Sequence, residues 1–329
     1  MKLFDKIFKS NRTIETADLT AITRTEILEG VSIPGIIHNM QYHFTDLQVY
    51  SDGLISCWEM VDLSMFKDKL NKGWVVTSIP DGETISIFSL GNWNIEQGKW
   101  HHTKETLYDY VYSLVKQLNP TLENLHNYNG NNSKMVGKVT VAKHFMPTPK
   151  PYHFDDPNSF FPKKINGEKF NFFYRNDDNK IYLAELSIYK SGNIEITNLP
   201  KKKIYKFEDL NELTEKGILT TDLKIGETVT ILNLGSFKIV SGSSVDIKSK
   251  INELIDKFNE LNGGENSIAK CARIFDEYRQ NPTKILREEL KDAYEAVGFP
   301  LLVRFKSIKN TVISNLMFLT VDELSVAKA

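Results

Sequence analysis

Cysteine is nearly absent from this chain: Cys57 and Cys271 are the only 2 in 329 residues. They lie far apart, with no CxxC and no zinc spacing, so no disulfide framework is expected and a reducing compartment suits the sequence. Net charge is nearly absent too, since 41 Lys and Arg face 42 Asp and Glu and leave a formal −1. That balance argues against a broad non-specific nucleic-acid surface. No apolar run is long enough to span a bilayer; the longest, Thr311 to Val321, is broken by Ser314 and Asn315. At the start, Leu3, Phe4, Ile7 and Phe8 fall at helical spacing among Lys2, Lys6 and Lys9. No uninterrupted apolar region follows, so a short helix docked on the body is expected rather than a secretory leader. A basic amphipathic helix touching a membrane surface is the other reading. The nucleotide-binding patterns GxxxxGK[ST] and GxGxxG after a strand are missing, as are GxSxG and HExxH. The residues imply no catalytic group, no cofactor and no metal, and they point to a soluble, cytoplasmic protein.

What is present is an internal repeat. Lys72-Gly73-Trp74-Val75-Val76-Thr77 returns as Lys216-Gly217-Ile218-Leu219-Thr220-Thr221, an offset of 144 residues. The same offset carries Gly82-Glu83-Thr84-Ile85 onto Gly226-Glu227-Thr228-Val229, Leu90-Gly91 onto Leu234-Gly235, Trp93 onto Phe237 and Gly98 onto Gly242. It then enters a helical stretch, where Leu107, Tyr110, Val111 and Leu114 meet Ile251, Leu254, Ile255 and Phe258. Upstream the offset becomes 139, so that Asp46, Leu47, Val49, Tyr50 and Gly53 meet Glu185, Leu186, Ile188, Tyr189 and Gly192. Glycines, apolar positions and a helix face in common register mark one packing problem solved twice.

The module follows from period and punctuation. Alternation over 42–50 and 54–60 around Ser51-Asp52-Gly53 predicts a hairpin. A short helix over 63–72 closes at Gly73. Strands near 74–79 and 83–90 flank Pro80-Asp81-Gly82, and Gly91 marks a bulge or bend. A long helix ends the unit, at about Thr103–Leu118 and Asp246–Leu261. The expected fold class is α+β: two tandem antiparallel sheet-plus-helix modules (ββαββα), each with a possible extra leading strand at 33–38 and 169–175, then a C-terminal helical hairpin. The expected organisation is 1–30 N-terminal segment, 31–126 copy one, 127–165 proline-rich linker, 166–264 copy two, 265–298 hairpin and 299–329 tail. Val136 to Phe145 reads as one strand in the linker. The second hairpin helix is expected to start at Asn281-Pro282 and to use Ile285, Leu286, Leu290, Ala293, Tyr294 and Val297.

Three stretches of copy one and one of copy two are similar to a family of uncharacterised bacterial proteins made of adjacent domains of unknown function. They are Tyr50-Ser51-Asp52-Gly53, Cys57-Trp58-Glu59-Met60-Val61-Asp62, Lys72-Gly73-Trp74-Val75-Val76-Thr77-Ser78-Ile79-Pro80-Asp81-Gly82-Glu83 and Ala184-Glu185-Leu186-Ser187-Ile188-Tyr189-Lys190-Ser191-Gly192. The resemblance spans roughly 30–297. It implies a bacterial origin and lends no activity and no site residues.

Duplication supplies its own test for function. Features in both copies belong to the scaffold, and features in one copy are better functional candidates. The shared acids Asp46/Glu185 and Glu83/Glu227 read as solvated or cross-strand charge. All 4 tryptophans, Trp58, Trp74, Trp93 and Trp100, belong to copy one. Trp74 and Trp93 replace Ile218 and Phe237 and read as core, which leaves Trp58 and Trp100 as anchors for a partner. Tyr152 and Phe154 in the linker join them. The leading expectation is a non-enzymatic binding protein whose partner is another protein, in an immunity, defence-associated or regulatory setting. The alternative is an enzyme or small-ligand binder with a site near Trp58, Glu59, His101 and His102. A nucleic-acid binder using Lys201, Lys202 and Lys203 is the weaker alternative.

Overall fold

The structure, a computed structural model, describes residues 20–23, 29–126, 133–136, 139–142 and 150–297. The expected N-terminal helix and the 299–329 tail lie outside the described residues.

Copy one runs β1 (Thr20–Thr23), β2 (Glu29–Asn39), β3 (Gln41–Tyr50), β4 (Ile55–Ser56), β5 (Met60–Val61), α1 (Leu63–Asn71), β6 (Val75–Val76), β7 (Thr84–Ile87), β8 (Gly91–Trp100) and α2 (Lys104–Leu118). Between the copies, β9 (Ser133–Val136) and β10 (Val139–Ala142) pair antiparallel, so the single strand expected there is a two-stranded ribbon. Copy two runs β11 (Tyr152–Phe154), β12 (Lys164–Arg175), β13 (Ile181–Tyr189), β14 (Asn193–Thr197), β15 (Lys203–Lys206), α3 (Leu210–Glu215), β16 (Leu219–Thr220), β17 (Thr228–Ile231) and β18 (Gly235–Ser244). Then follow α4 (Ile247–Leu261), α5 (Ser267–Gln280) and α6 (Lys284–Ala296). The chain is thus a mixed α+β protein, with a large sheet and six helices among the described residues. None of these helices is long and apolar enough to cross a membrane.

Local chemistry sets the boundaries. Gly73 and Gly217 take φ of +73° and +66° just after α1 and α3, a conformation that a side chain resists. Asp62 caps α1 by accepting the Met65 N–H at 2.8 Å, and Thr103 with Thr106 forms a reciprocal cap on α2.

Contacts divide the chain into Met1–Ser244 and Val245–Ala329. In the first unit 16 strands form one sheet, whose main order is β1-β2-β3-β7-β8-β18-β17-β13-β12-β11. From β2 inward and from β12 inward the order is the same, so the two copies meet at β8 and β18. That antiparallel seam pairs Gly91 with Ser244, Trp100 with Gly235, and Ile95 with Ile239. Ile95 and Ile239 are equivalent positions of the repeat, so the pseudo-twofold axis passes between them. Glycine is required here by close approach: a Cβ on Gly91 would lie 2.2 Å from Ser243 O, and one on Gly235 would lie 2.5 Å from Lys99 O.

One face of the sheet holds a core built by both copies. Ile36, Phe44, Ile85, Ile87, Trp93 and Ile95 pack in one cluster with Phe173, Leu183, Val229, Ile231, Phe237 and Ile239. Trp93 and Phe173 meet edge to face at 5.0 Å although β8 and β12 are not neighbours. The sheet therefore curls enough to bring β12 against β8. Each such fully buried side chain contributes about 1.5–3 kcal/mol. The opposite face of copy one carries a second core, where Leu107, Val111, Leu114 and Val115 of α2 cover Ile33, Ile37, Leu47 and Val49.

In the second unit α5 and α6 pack as a hairpin through Cys271, Ile274, Phe275, Tyr278, Leu290, Ala293 and Val297. Two sequence expectations are corrected. Thr283, not Asn281, caps α6 by accepting the Leu286 N–H at 3.2 Å, because Asn281 closes α5 with its own N–H on Glu277 O at 2.9 Å. Ile285 lies outside the packed face and is exposed. The long helices also differ: α4 buries Lys250, Leu254 and Asp256, while Ile255 is exposed. Asp256 is committed to the Ser267 N–H at 2.8 Å, which ties α4 to the start of α5.

Candidate functional site

Two places concentrate polar and aromatic chemistry. The first is a surface of copy one. Trp58 sits in the turn between β4 and β5 with φ +70° and remains 50% exposed. A positive φ on a bulky residue costs on the order of 1–3 kcal/mol. The indole N–H of Trp58 donates to Thr45 Oγ1 at 3.2 Å, and its ring lies 4.9 Å from His43 and 6.1 Å, edge-on, from Trp74. Trp74 donates to Cys57 O at 3.2 Å, and Lys69 lies over its ring at 4.9 Å. Lys69 also pairs with Glu59.

His101 and His102 are held elsewhere. The His101 N–H donates to Leu234 O at 3.0 Å, His102 Nε2 lies 2.9 Å from Asn233 O, and the His102 ring stacks on Tyr110. Burial lowers the His102 pKa, the bond to Asn233 opposes this, and His101 adds to the lowering. Among the described residues no hydrogen bond or ring contact joins Trp58 or Glu59 to this pair. Trp100 is half-buried against the shared core, 6.1 Å from Phe237. Tyr152 and Phe154 meet edge to face on β11, and the exposed Phe160 and Phe161 form a separate edge-to-face pair. Of the three lysines in the 201–203 run, Lys202 reaches Glu195 at 3.6 Å and Lys203 enters β15, so only Lys201 stands fully exposed.

The second place lies inside the curl. Alternation puts Tyr42, Phe44, Asp46, Gln48 and Tyr50 of β3 on the shared-core face, and Ile181, Leu183, Glu185, Ser187 and Tyr189 of β13 likewise. Both strands pass from apolar to polar in step. Register sets Gly30 opposite Tyr50 and Gly167 opposite Tyr189, so Ser32 of β2 and Lys169 of β12 are equivalent positions. The tyrosine rings lie over these glycines, where a Cβ would meet them at 2.8 and 2.7 Å. Between tyrosines and apolar floor, Lys169 bridges the two copies. It pairs with Asp46 and, at 2.8 Å, with Glu185, which is 3% exposed. Burial alone would pull the Lys169 pKa down; Asp46 and Glu185 outweigh it and hold the ammonium above the ordinary lysine range.

Three buried side-chain atoms among the described residues make no hydrogen bond: Ser32 Oγ, Ser187 Oγ and His153 Nδ1. Ser187 lies directly between Lys169 and Glu195 across the strands. Burial and Glu195 raise the Tyr189 pKa. The His153 ring packs edge-on to Tyr189 at 4.2 Å.

A sequence profile described as a domain of unknown function, DUF7638, matches residues 19–122 and again 156–265. The chain belongs to the DUF7638 family. Comparison with curated proteins and with solved structures gives no match. The polar layer therefore lies between two DUF7638 copies and draws on both, whereas the Trp58 surface belongs to the first copy. In the second DUF7638 copy Thr197 stands at the Trp58 position, buried, with its hydroxyl on Glu185 O. Of the two readings of the shared acids, cross-strand charge fits Glu185, which pairs with Lys169 on the neighbouring β12, while Asp46, part-exposed on β3, is met by the same lysine from the other copy. Lys169, Ser32 and Ser187 escaped the sequence reading. The available signal was polarity at inward positions of two otherwise apolar strands.

Proposed function

We propose that this DUF7638 protein is a non-enzymatic binding protein that engages another protein through the Trp58 surface of copy one. The observation carrying the reading is Trp58 itself: half exposed, in a costly backbone conformation, with its indole fixed by Thr45. Tryptophan is enriched among the residues that carry most of the binding energy at interfaces. Glu59 and Lys69 supply a charged rim, and the exposed pair Phe160 and Phe161 offers a second apolar patch. A bacterial, cytoplasmic setting and an immunity, defence-associated or regulatory role belong to the same reading, as does descent of each copy from a ββαββα unit. The test is quantitative affinity capture from the source cells. Trp58→Ala should lower recovery of the captured partner by about tenfold or more, while Ile204→Ser, at an exposed site of copy two, leaves it unchanged. Equal recovery with Trp58→Ala refutes the surface.

A further inference from the structure

We infer that the tip of the β11–β12 hairpin inserts into the surface of an anionic lipid bilayer. The tip is an addition to the repeat, present in copy two. Gly30 and Gly167 are equivalent, so the pair Thr23–Glu29 corresponds to the pair Tyr152–Asn166. Residues 24–28 join the first pair, whereas the longer run 153–165 joins the second. The added stretch carries Phe160 and Phe161 at 89% and 83% exposure, with their rings edge to face at 4.7 Å. The tip is locked in place. Asp155 Oδ1 accepts the N–H groups of Asp156 and Lys163, both at 2.8 Å, and the Asp155 N–H donates to Lys163 O at 3.1 Å. Asp156 Oδ1 accepts the Asn158 N–H at 3.0 Å, and Ser159 Oγ accepts the Phe161 N–H at 3.3 Å. Pro157 and Pro162 restrict the backbone further. The polar side chains of the loop are thus spent on presenting two apolar rings to the outside.

Shape and charge select the occupant. Side chains this exposed protrude, so a flat protein surface would cover only their ends. A fluid bilayer closes round protruding rings without a matching pocket. The stem below them is basic. Lys163 and Lys164 follow the rings in sequence, and Lys190 stands beside the stem with its N–H on Asn166 O at 3.1 Å. Among the described residues no ion pair takes any of these three lysines. The carboxylates of Asp155 and Asp156 are turned onto loop amides, and three lysines against two acids leave the tip positive. Lys164 lies over the Tyr152 ring at 4.6 Å. Lysine beside an aromatic ring, below an apolar apex, suits the depth of lipid headgroups, where anionic phosphates attract the ammonium groups.

The experiment is flotation of the full chain with phosphatidylcholine vesicles, with and without phosphatidylglycerol. The chain should float with the anionic vesicles, and omitting phosphatidylglycerol should weaken binding about fivefold or more. The double variant Phe160→Ser/Phe161→Ser should weaken it about tenfold or more, while Phe160→Trp/Phe161→Trp retains it. Circular dichroism on each variant separates lost binding from lost folding. Wild-type chain that stays off the anionic vesicles overturns the inference in favour of a pocket on another protein. Undiminished flotation of the folded serine variant overturns it too, as does binding indifferent to phosphatidylglycerol.

Discussion

Lys169 reaches from β12 to carboxylates on β3 and β13, and its ammonium is what makes their burial tolerable. Removing one member of a fully buried ionic group costs about 3–5 kcal/mol, and less where members keep some solvent, as Lys169 and Asp46 do at 22% and 19% exposure. Lys169→Ala should therefore lower the unfolding free energy in urea titration by less than that fully buried cost. The sign of the pH dependence follows from the raised pKa of Lys169. Its contribution is fully present below the unfolded lysine value of about 10.4 and is lost only as pH rises through the higher folded value. The gap between wild type and variant should thus stay flat between about pH 7 and pH 9. A gap that closes in that window would mean that Lys169 is not held charged by its two partners.

At the scale of the elements, the seam of β8 with β18 decides how the copies join, and glycines make it possible. Gly91→Ala or Gly235→Ala forces a methyl into a carbonyl oxygen across the seam, and each should cost about 3 kcal/mol or more. Gly73→Ala has open space around it and should cost only the roughly 1–2 kcal/mol of the left-handed conformation. Denaturant midpoints for the three variants check the ranking. Gly73 was legible in the sequence as a helix stop because backbone conformation is a local property, whereas Gly91 read as a bulge or bend and the close approach across the seam was not legible. Legible too were α1 and α2, whose caps Asp62 and Thr103 sit beside periodic apolar residues. The pairing of Ile95 with Ile239 was not legible, since alternation specifies a face but not which distant strand lies alongside. The same limit hid the site: Asp46 in a sheet of unknown curvature reads as solvent-facing, and only closure of the curl brings Lys169 to it. For α4, apolar spacing matched α2, but the spacing did not show that Asp256 is buried and tied to the Ser267 N–H.

For the whole molecule, the shared core means that neither copy completes its interior alone. Residues 29–126 expressed by themselves retain the α1 and α2 side of the sheet but expose Trp93, Ile85 and Ile95. Because Ile95 and Ile239 are equivalent, β8 can pair with a second β8 in the same register, and this fragment should form a dimer. Light scattering after size exclusion reads the mass, and Ile95→Lys should return the fragment to an unpaired state. A stable folded monomer of 29–126 would refute the dependence of each half on the other. Such a dimer of identical chains would differ from the natural protein in one respect. Perfect symmetry lets a group occur at this interior twice or not at all, so two acids would face either two lysines or none. Covalent fusion removes that parity rule. One gene can write serine in the first half and lysine in the second, so that a single lysine reaching acids of both halves becomes possible only after the halves are joined.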